Sequence, residues 1–277
     1  KMKLKKPYEP SPRLKIKPGN YLTPRGEENR YVTENPELIL NYPPRREHEL
    51  VMFWNENRDD YNQLIEDFSE LLNMNKVIIE LTDNKAEPTN YNNDPQNEVS
   101  QHMEVNGFSW IAAALQNVSN LCHELSHAVD MTYDDNQLST GKFSQISKKV
   151  QEHLPLIFNE KFKTFKTHEG QLIYELKEKE IFARALNQHY LRARGDNIFA
   201  QPIKPQISDY VIDFLYEKDE KFRNDLNEYF KSIPEIAKWG EPENKRVIHS
   251  KFVSDEDYKD LISELNRLTE LNKPLEM

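Results

Sequence analysis

The pattern of apolar and polar residues predicts a folded body that begins near residue 48. The short apolar run 50–54 is typical of a buried strand, and the β-branched run 77–81 predicts a second one. Between them, apolar residues recur at helical spacing over 57–73. Strand, helix and strand in this order predict a crossover unit in a small sheet, and we expect a further strand over 102–108.

The sequence from Trp110 to Met131 predicts one long helix, because no proline or glycine interrupts it and Ser109 suits the N-cap. We expect its apolar stripe to pack into a core and its polar stripe to face a cleft. Cys122 is interpreted as a core residue rather than a ligand. The apolar stripe comprises Ile111, Leu115, Val118, Cys122, Leu125 and Val129, and the polar stripe comprises Asn120, His123, His127 and Asp130.

Helices predominate in the rest of the chain. Helical periodicity predicts them over 174–194, 207–216, 220–230 and 255–271. The predicted fold class is therefore α+β, with a small mixed sheet lobe, a mostly helical C-terminal lobe and a cleft between them. The lobes are expected to cover about 47–131 and about 132–277.

Residues 1–46 differ in composition from this body. Lys1 to Arg25 contains eight Lys and Arg residues, five prolines and a single acid, Glu9. Such a segment buries little apolar surface, so we expect a basic, proline-rich extended arm. It lacks an apolar core of the kind that a Sec-type signal peptide needs.

Composition narrows the function classes. The net charge of -10 argues against nucleic acid as the main partner, and no apolar run approaches the ~18–20 residues of a membrane-spanning helix. Only 7 glycines occur, and no glycine-rich phosphate-binding motif is present. With Cys122 as the single cysteine, neither an internal disulfide nor a cysteine-rich zinc site is possible.

The motif H-E-L-S-H at 123–127 carries the candidate chemistry. Residues four apart share one face of a helix, so His123 and His127 can bind the same metal ion. Glu124 would then stand beside the open position of the metal, where it can accept a proton from bound water. The sequence predicts a zinc site with Glu124 as the general base.

A catalytic zinc site needs a third protein ligand. A histidine six residues after His127 would supply it in one subclass, but Tyr133 stands there and Asp130 replaces the usual glycine. The helix over 174–194 offers three carboxylates instead. We favour Glu180, which borders the apolar face and precedes the small Ala183, whereas the alternatives, Glu175 and Glu178, are expected to face water.

Two charged residues are candidates for orienting these ligands. Asp130 lies about one turn after His127 and is a candidate acceptor for the free N–H of that imidazole. The equal alternative is that Asp130 is an ordinary acidic residue on the protein surface. Arg184 lies one turn after Glu180. It would either orient the Glu180 carboxylate or form an ordinary helical pair.

Two short motifs resemble the zinc peptidases called gluzincin-type zincins, whose third ligand is a glutamate. H-E-L-S-H-A-V-D at 123–130 and E-I-F-A-R-A at 180–185 are similar to the motif pair of the anthrax lethal factor catalytic domain and related bacterial toxin and effector proteases. The resemblance implies a zincin-like fold with Glu180 as the third ligand. Ser126 departs from it, because this family often has glycine there.

The resemblance also implies a tyrosine that stabilises the tetrahedral intermediate. Tyr174, six residues before Glu180, lies within about one residue of that position, and His189 and Tyr190 are its rivals. The implied activity is that of a zinc-dependent endopeptidase. Its expected substrate is a host protein, which a secreted bacterial effector or toxin would cut in the host cytosol; otherwise the chain would be cytoplasmic.

The alternative is a non-catalytic binding or structural module of a mobile element or toxin. Glu124 favours the enzyme, because a module that needs only the fold has no use for a carboxylate beside the metal.

Overall fold

The computed structural model describes a chain that divides into two compact units. The first unit comprises 1–69 and 75–118, and the second comprises 70–74 and 119–277. The residues described are 15–16, 37–41, 47–72, 76–82, 101–105, 108–114, 120–133, 137–157, 169–202, 205–248 and 255–271. The predicted arm, 1–46, lies outside this part except at 15–16 and 37–41, so its role stays a prediction.

The described elements of the first unit are β1 (Lys15–Ile16), β2 (Glu37–Asn41), α1 (Glu47–Ser69), β3 (Lys76–Thr82), β4 (Gln101–Val105) and β5 (Phe108–Ala114). The strands pair in the order β1-β2-β3-β5-β4. The central pairs β2–β3 and β3–β5 are parallel, and the outer pairs are antiparallel. A parallel pair needs a crossover connection, which the helix α1 provides between β2 and β3.

The strand predicted over 50–54 is wrong, because these residues belong to α1. Trp54 is buried and packs against the tilted ring of Tyr61 at a ring-centroid distance of 5.0 Å. The same buried face continues with Leu64, Ile65 and Phe68. A short apolar run fits a strand and a buried helical turn equally well. Here the run is continued by apolar residues at helical spacing, and the whole segment forms one helix.

The long helix predicted over 110–131 is wrong at 110–114. Residues 108–114 form β5, in which Ile111 pairs with Ile79 of β3, and both side chains are fully buried. The H-E-L-S-H motif lies on a shorter helix, α2 (Leu121–Thr132). Sequence-local spacing cannot reveal such pairing, because it depends on a strand about 30 residues away.

The second unit contains α2 and, after it, α3 (Lys142–Ile157), α4 (Glu169–Glu175), α5 (Glu178–Arg194), α6 (Ile207–Lys218), α7 (Glu220–Lys231), α8 (Pro234–Ala237) and α9 (Asp255–Leu271). It is built around α5, which is buried without interruption from Glu180 to Arg192. This helix contacts α2, α3, α4 and α6. Its C-cap is Gly195, whose φ of 92° is favourable only for glycine.

The predicted fold class, α+β with a small mixed sheet lobe beside a helical one, is wrong. The described chain is mostly helical, and the unit that holds every predicted site residue has no strand among its described residues. The short strands bury Val77, Ile79 and Ile111. The prediction failed because it placed the run 50–54 and the motif helix in a sheet lobe, whereas the first is helical and the second belongs to the helical unit.

None of the described helices combines the length with the apolar character that a membrane span requires.

Candidate metal centre

The helix α2 brings the two histidines of the motif together. Because they are one turn apart, their Nε2 atoms lie 3.2 Å from each other, and the rings are nearly perpendicular, at 85°. The side chain of His123 is 13% exposed and that of His127 is 12% exposed. Both nitrogens are therefore close enough to bind one metal ion at a partly exposed position.

Glu180, in the first turn of α5, completes the cluster. Its Oε2 atom lies 3.6 Å from Nε2 of His123 and 3.5 Å from Nε2 of His127. These separations are too long for good hydrogen bonds, and Oε2 is a buried atom without a hydrogen-bond partner. A buried carboxylate oxygen in this state is costly unless a cation satisfies it.

The charges of the cluster favour metal-binding protonation states. Burial would raise the pKa of Glu180, but the two imidazoles that face it hold that pKa well below its ordinary value. Burial also lowers the pKa of His123 to about 4, assisted by the charges of His127 and Arg184 and opposed by Glu180. A neutral imidazole and an ionised carboxylate are the forms that bind metal.

The spacing of the three atoms fits zinc. Tetrahedral zinc with bonds of about 2.0–2.2 Å places neighbouring ligand atoms about 3.3–3.6 Å apart, and the observed separations are 3.2, 3.5 and 3.6 Å. Two imidazoles and one carboxylate are a usual zinc donor set. Within the residues that the structure describes, His123, His127 and Glu180 are the group whose donor atoms converge in this way.

The two residues expected to perform the chemistry lie beside this cluster. Glu124 is 6% exposed and adjoins His123 on α2. Tyr174, on α4, is 39% exposed; burial of its hydroxyl and the nearby carboxylates of Glu180 and Glu124 raise its pKa above the ordinary value. The phenol therefore stays protonated and can donate a hydrogen bond.

The rivals of Tyr174 are too far away to act at this cluster. His189 and Tyr190 follow Glu180 by nine and ten residues on α5. A helix rises about 1.5 Å per residue, which separates them from Glu180 by about 13–15 Å along the axis. They contact the rings of Phe230 and Trp239 instead.

The other carboxylates of this region have different partners. Glu175 was expected to face water, but this expectation is wrong: it is 1% exposed and its Oε2 atom accepts a hydrogen bond of 2.7 Å from the backbone N–H of Ser208. Glu178 is partly exposed and stands outside the cluster. Glu180 is the one carboxylate of the three that the structure brings to the histidines.

The two residues considered for orienting the ligands also bind elsewhere. Asp130 is buried and accepts a hydrogen bond of 2.5 Å from the backbone N–H of Ser139, so it anchors the segment that follows α2. Burial raises the pKa of Asp130 despite this hydrogen bond. Arg184 forms an ion pair of 2.6 Å with Asp209 of α6.

The apolar side of α2 agrees with its sequence pattern. Cys122 is fully buried and stands outside the cluster, as a core residue would. Ser126, where the resembling family often has glycine, is also fully buried, and its Oγ atom donates a hydrogen bond of 2.7 Å to the carbonyl of Cys122. The hydroxyl is thereby satisfied within its own helix.

One part of the site was missed by sequence reasoning. Asp209 accepts from the backbone of Gln206 and from Arg184, and Glu175 binds the same end of α6. The spacing of Gln206 and Asp209 is that of a capping box, a signal that could have placed the Asp209 carboxylate at the N-terminus of the helix predicted over 207–216. No local signal shows that Glu175 binds there, because Ser208 lies 33 residues further along the chain.

Comparisons with known proteins leave the two motifs as the basis of the resemblance. The chain matches no protein-family model, no curated protein and no solved structure.

Proposed function

We propose that this chain is a zinc-dependent endopeptidase. The observation that supports the proposal is the convergence of two imidazole nitrogens on a buried carboxylate oxygen that has no hydrogen-bond partner. His123, His127 and Glu180 would hold the metal. A zinc ion bound there would acidify a water molecule and polarise the carbonyl of the scissile peptide bond.

Glu124 and Tyr174 perform the remaining steps in this proposal. The Glu124 carboxylate accepts a proton from the attacking water and later delivers it to the leaving amine, which converts one peptide bond and one water into a carboxylate and an amine. The Tyr174 hydroxyl, held protonated by its surroundings, donates a hydrogen bond to the oxygen that becomes negative in the transition state.

The proposed substrate is a protein or peptide, and the proposed setting is a host cell that receives the chain as a bacterial effector or toxin. Support for this setting comes from the resemblance of 123–130 and 180–185 to such proteases. The exposed rim next to the site would admit an extended peptide, since Ile173 is 57% exposed and Tyr174 is 39% exposed.

The experiment that tests the function compares the wild type with Glu124→Gln in a host-cell lysate supplied with zinc. New protein N-termini are profiled by mass spectrometry, and Glu178→Gln serves as a matched control on a carboxylate outside the cluster. We expect the wild type and Glu178→Gln to generate the same new N-termini and Glu124→Gln to generate none. If the wild type generates no new N-termini, the result would support the non-catalytic module. If Glu124→Gln cleaves as the wild type does, Glu124 is not the general base.

A further inference from the structure

The position of Tyr174 depends on that of α4, which is a short helix. It has seven residues, Glu169–Glu175, which is below the length at which a helix is stable by itself. Its last turn closes with hydrogen bonds to the backbone carbonyls of Leu172 and Tyr174, and α5 starts directly afterwards at Glu178. Contacts from other helices therefore help to fix the position of Tyr174 relative to Glu180.

Two of these contacts meet at the break between α4 and α5. Glu175, the neighbour of Tyr174, accepts the hydrogen bond of 2.7 Å from Ser208, in the first turn of α6. On the other side, the side-chain amide of Gln151 on α3 donates a hydrogen bond of 2.7 Å to the carbonyl of Leu176. A carboxylate at a helix N-terminus is also favoured by the helix dipole.

A third contact ties α6 to α5 itself. Arg184, one turn after Glu180, forms its ion pair with Asp209, which also accepts from the backbone N–H of Gln206 at 2.7 Å. The same end of α6 thus binds the helix that carries Tyr174 and the helix that carries Glu180. Both Arg184 and Glu175 are buried, so these bonds are shielded from water.

We infer that Glu175 is a positioning residue: by binding the N-terminus of α6, it holds Tyr174 in place beside Glu180. Glu175 touches no reacting atom in this account and acts through Tyr174. The catalytic consequence rests on the proposed function, whereas the placement of Tyr174 does not.

The placement is tested by fluorine NMR of the full chain with 3-fluorotyrosine at its 13 tyrosines, where the Tyr174 signal is identified by its loss in Tyr174→Phe. We expect Glu175→Ala to shift or broaden the Tyr174 signal. Glu175→Gln retains an acceptor oxygen and should preserve most of the signal position, and Glu178→Ala should not change it. If Glu175→Ala does not fold, Gln151→Ala removes the other contact and should move the same signal.

The catalytic consequence is tested by a double-mutant cycle on a peptide substrate. Misplacing a hydrogen-bond donor costs on the order of 10- to 100-fold in rate, so Glu175→Ala should lower kcat by about that factor and leave KM within about twofold. In the Tyr174→Phe background the same substitution should change kcat by less than about twofold, because the group it positions is gone.

The two measurements separate the inference from the proposed function. A Tyr174 signal that is identical in the wild type, Glu175→Ala and Gln151→Ala would overturn the inference whatever the activity. Equal losses of kcat with and without the Tyr174 hydroxyl would overturn it as well. A wild type that cleaves no peptide would refute the proposed function, and the fluorine signal would still decide whether Glu175 holds Tyr174.

Discussion

His189 offers a sharp test of how the core around α5 is packed. Its side chain is 1% exposed and lies between the rings of Phe230, at a centroid distance of 4.7 Å, and Trp239, at 6.3 Å. The Nδ1 atom is buried without a hydrogen-bond partner. Burial, assisted by the charges of Arg192 and Lys231, lowers the pKa of His189 to about 3.

This pKa makes the stability of the fold depend on pH. In the unfolded chain the histidine titrates near its ordinary pKa of about 6.5. Below that pH the unfolded chain binds a proton that the native state does not bind, so the contribution of His189 is complete above pH 6.5 and declines as the pH falls towards 3. The slope approaches 1.36 kcal/mol per pH unit, which gives a loss of about 2 kcal/mol between pH 7 and pH 5.

The assay is urea-induced unfolding of the wild type and of His189→Phe between pH 5 and pH 7.5. His189→Phe keeps a planar ring but cannot be protonated, so the stability difference between the two proteins should change by about 2 kcal/mol over this range. Other titrating groups occur in both proteins and cancel in the difference. Phe230→Leu is a control that removes a packing partner but no titratable group. It should lower the free energy of unfolding about equally at the two ends of this pH range. A wild-type-minus-variant difference that does not change with pH would refute the reasoning.

Two further predictions concern buried charges. Arg192 forms an ion pair with Asp213 at 2.5 Å, and its guanidinium carbon lies 3.8 Å from the ring centre of Tyr216. The substitution Arg192→Leu should lower the free energy of unfolding by about 3–5 kcal/mol, because Asp213 is left buried without its countercharge. Urea unfolding measures this cost, and a value below about 1 kcal/mol would contradict the account. Glu124→Gln should retain zinc with an affinity within about threefold of the wild type, because Glu124 stands outside the ligand cluster. Loss of zinc in a chelator competition assay with this variant would show that Glu124 is a ligand.

The part of the site that follows from local spacing could be predicted from the sequence. The histidines of 123–127 lie one helical turn apart, and that separation survives wherever the helix begins. Glu180 was favoured over its neighbours because it borders an apolar face, and the structure brings it to the histidines. Both arguments depend on residues within a few positions of each other.

The features that depend on distant contacts could not be predicted. Helical periodicity predicted one helix over 174–194, but the helix breaks between Glu175 and Glu178, where Gln151 binds the carbonyl of Leu176. The burial of Glu175 likewise depends on the start of α6. Short apolar segments such as 50–54 and 108–114 have no preferred structure until a partner is known, which explains why the predicted fold class was wrong.

The proposed zinc site requires His123, His127 and Glu180 to bind one zinc ion together. The most direct measurement is the zinc content and zinc affinity of the wild type, Glu180→Gln and the control Glu178→Gln, after dialysis against metal-free buffer and by competition with a chelator. We predict about one zinc ion per chain in the wild type and in Glu178→Gln, and an affinity at least about tenfold lower in Glu180→Gln. A wild type that binds no stoichiometric zinc, or an affinity that Glu178→Gln lowers and Glu180→Gln does not, would contradict the account.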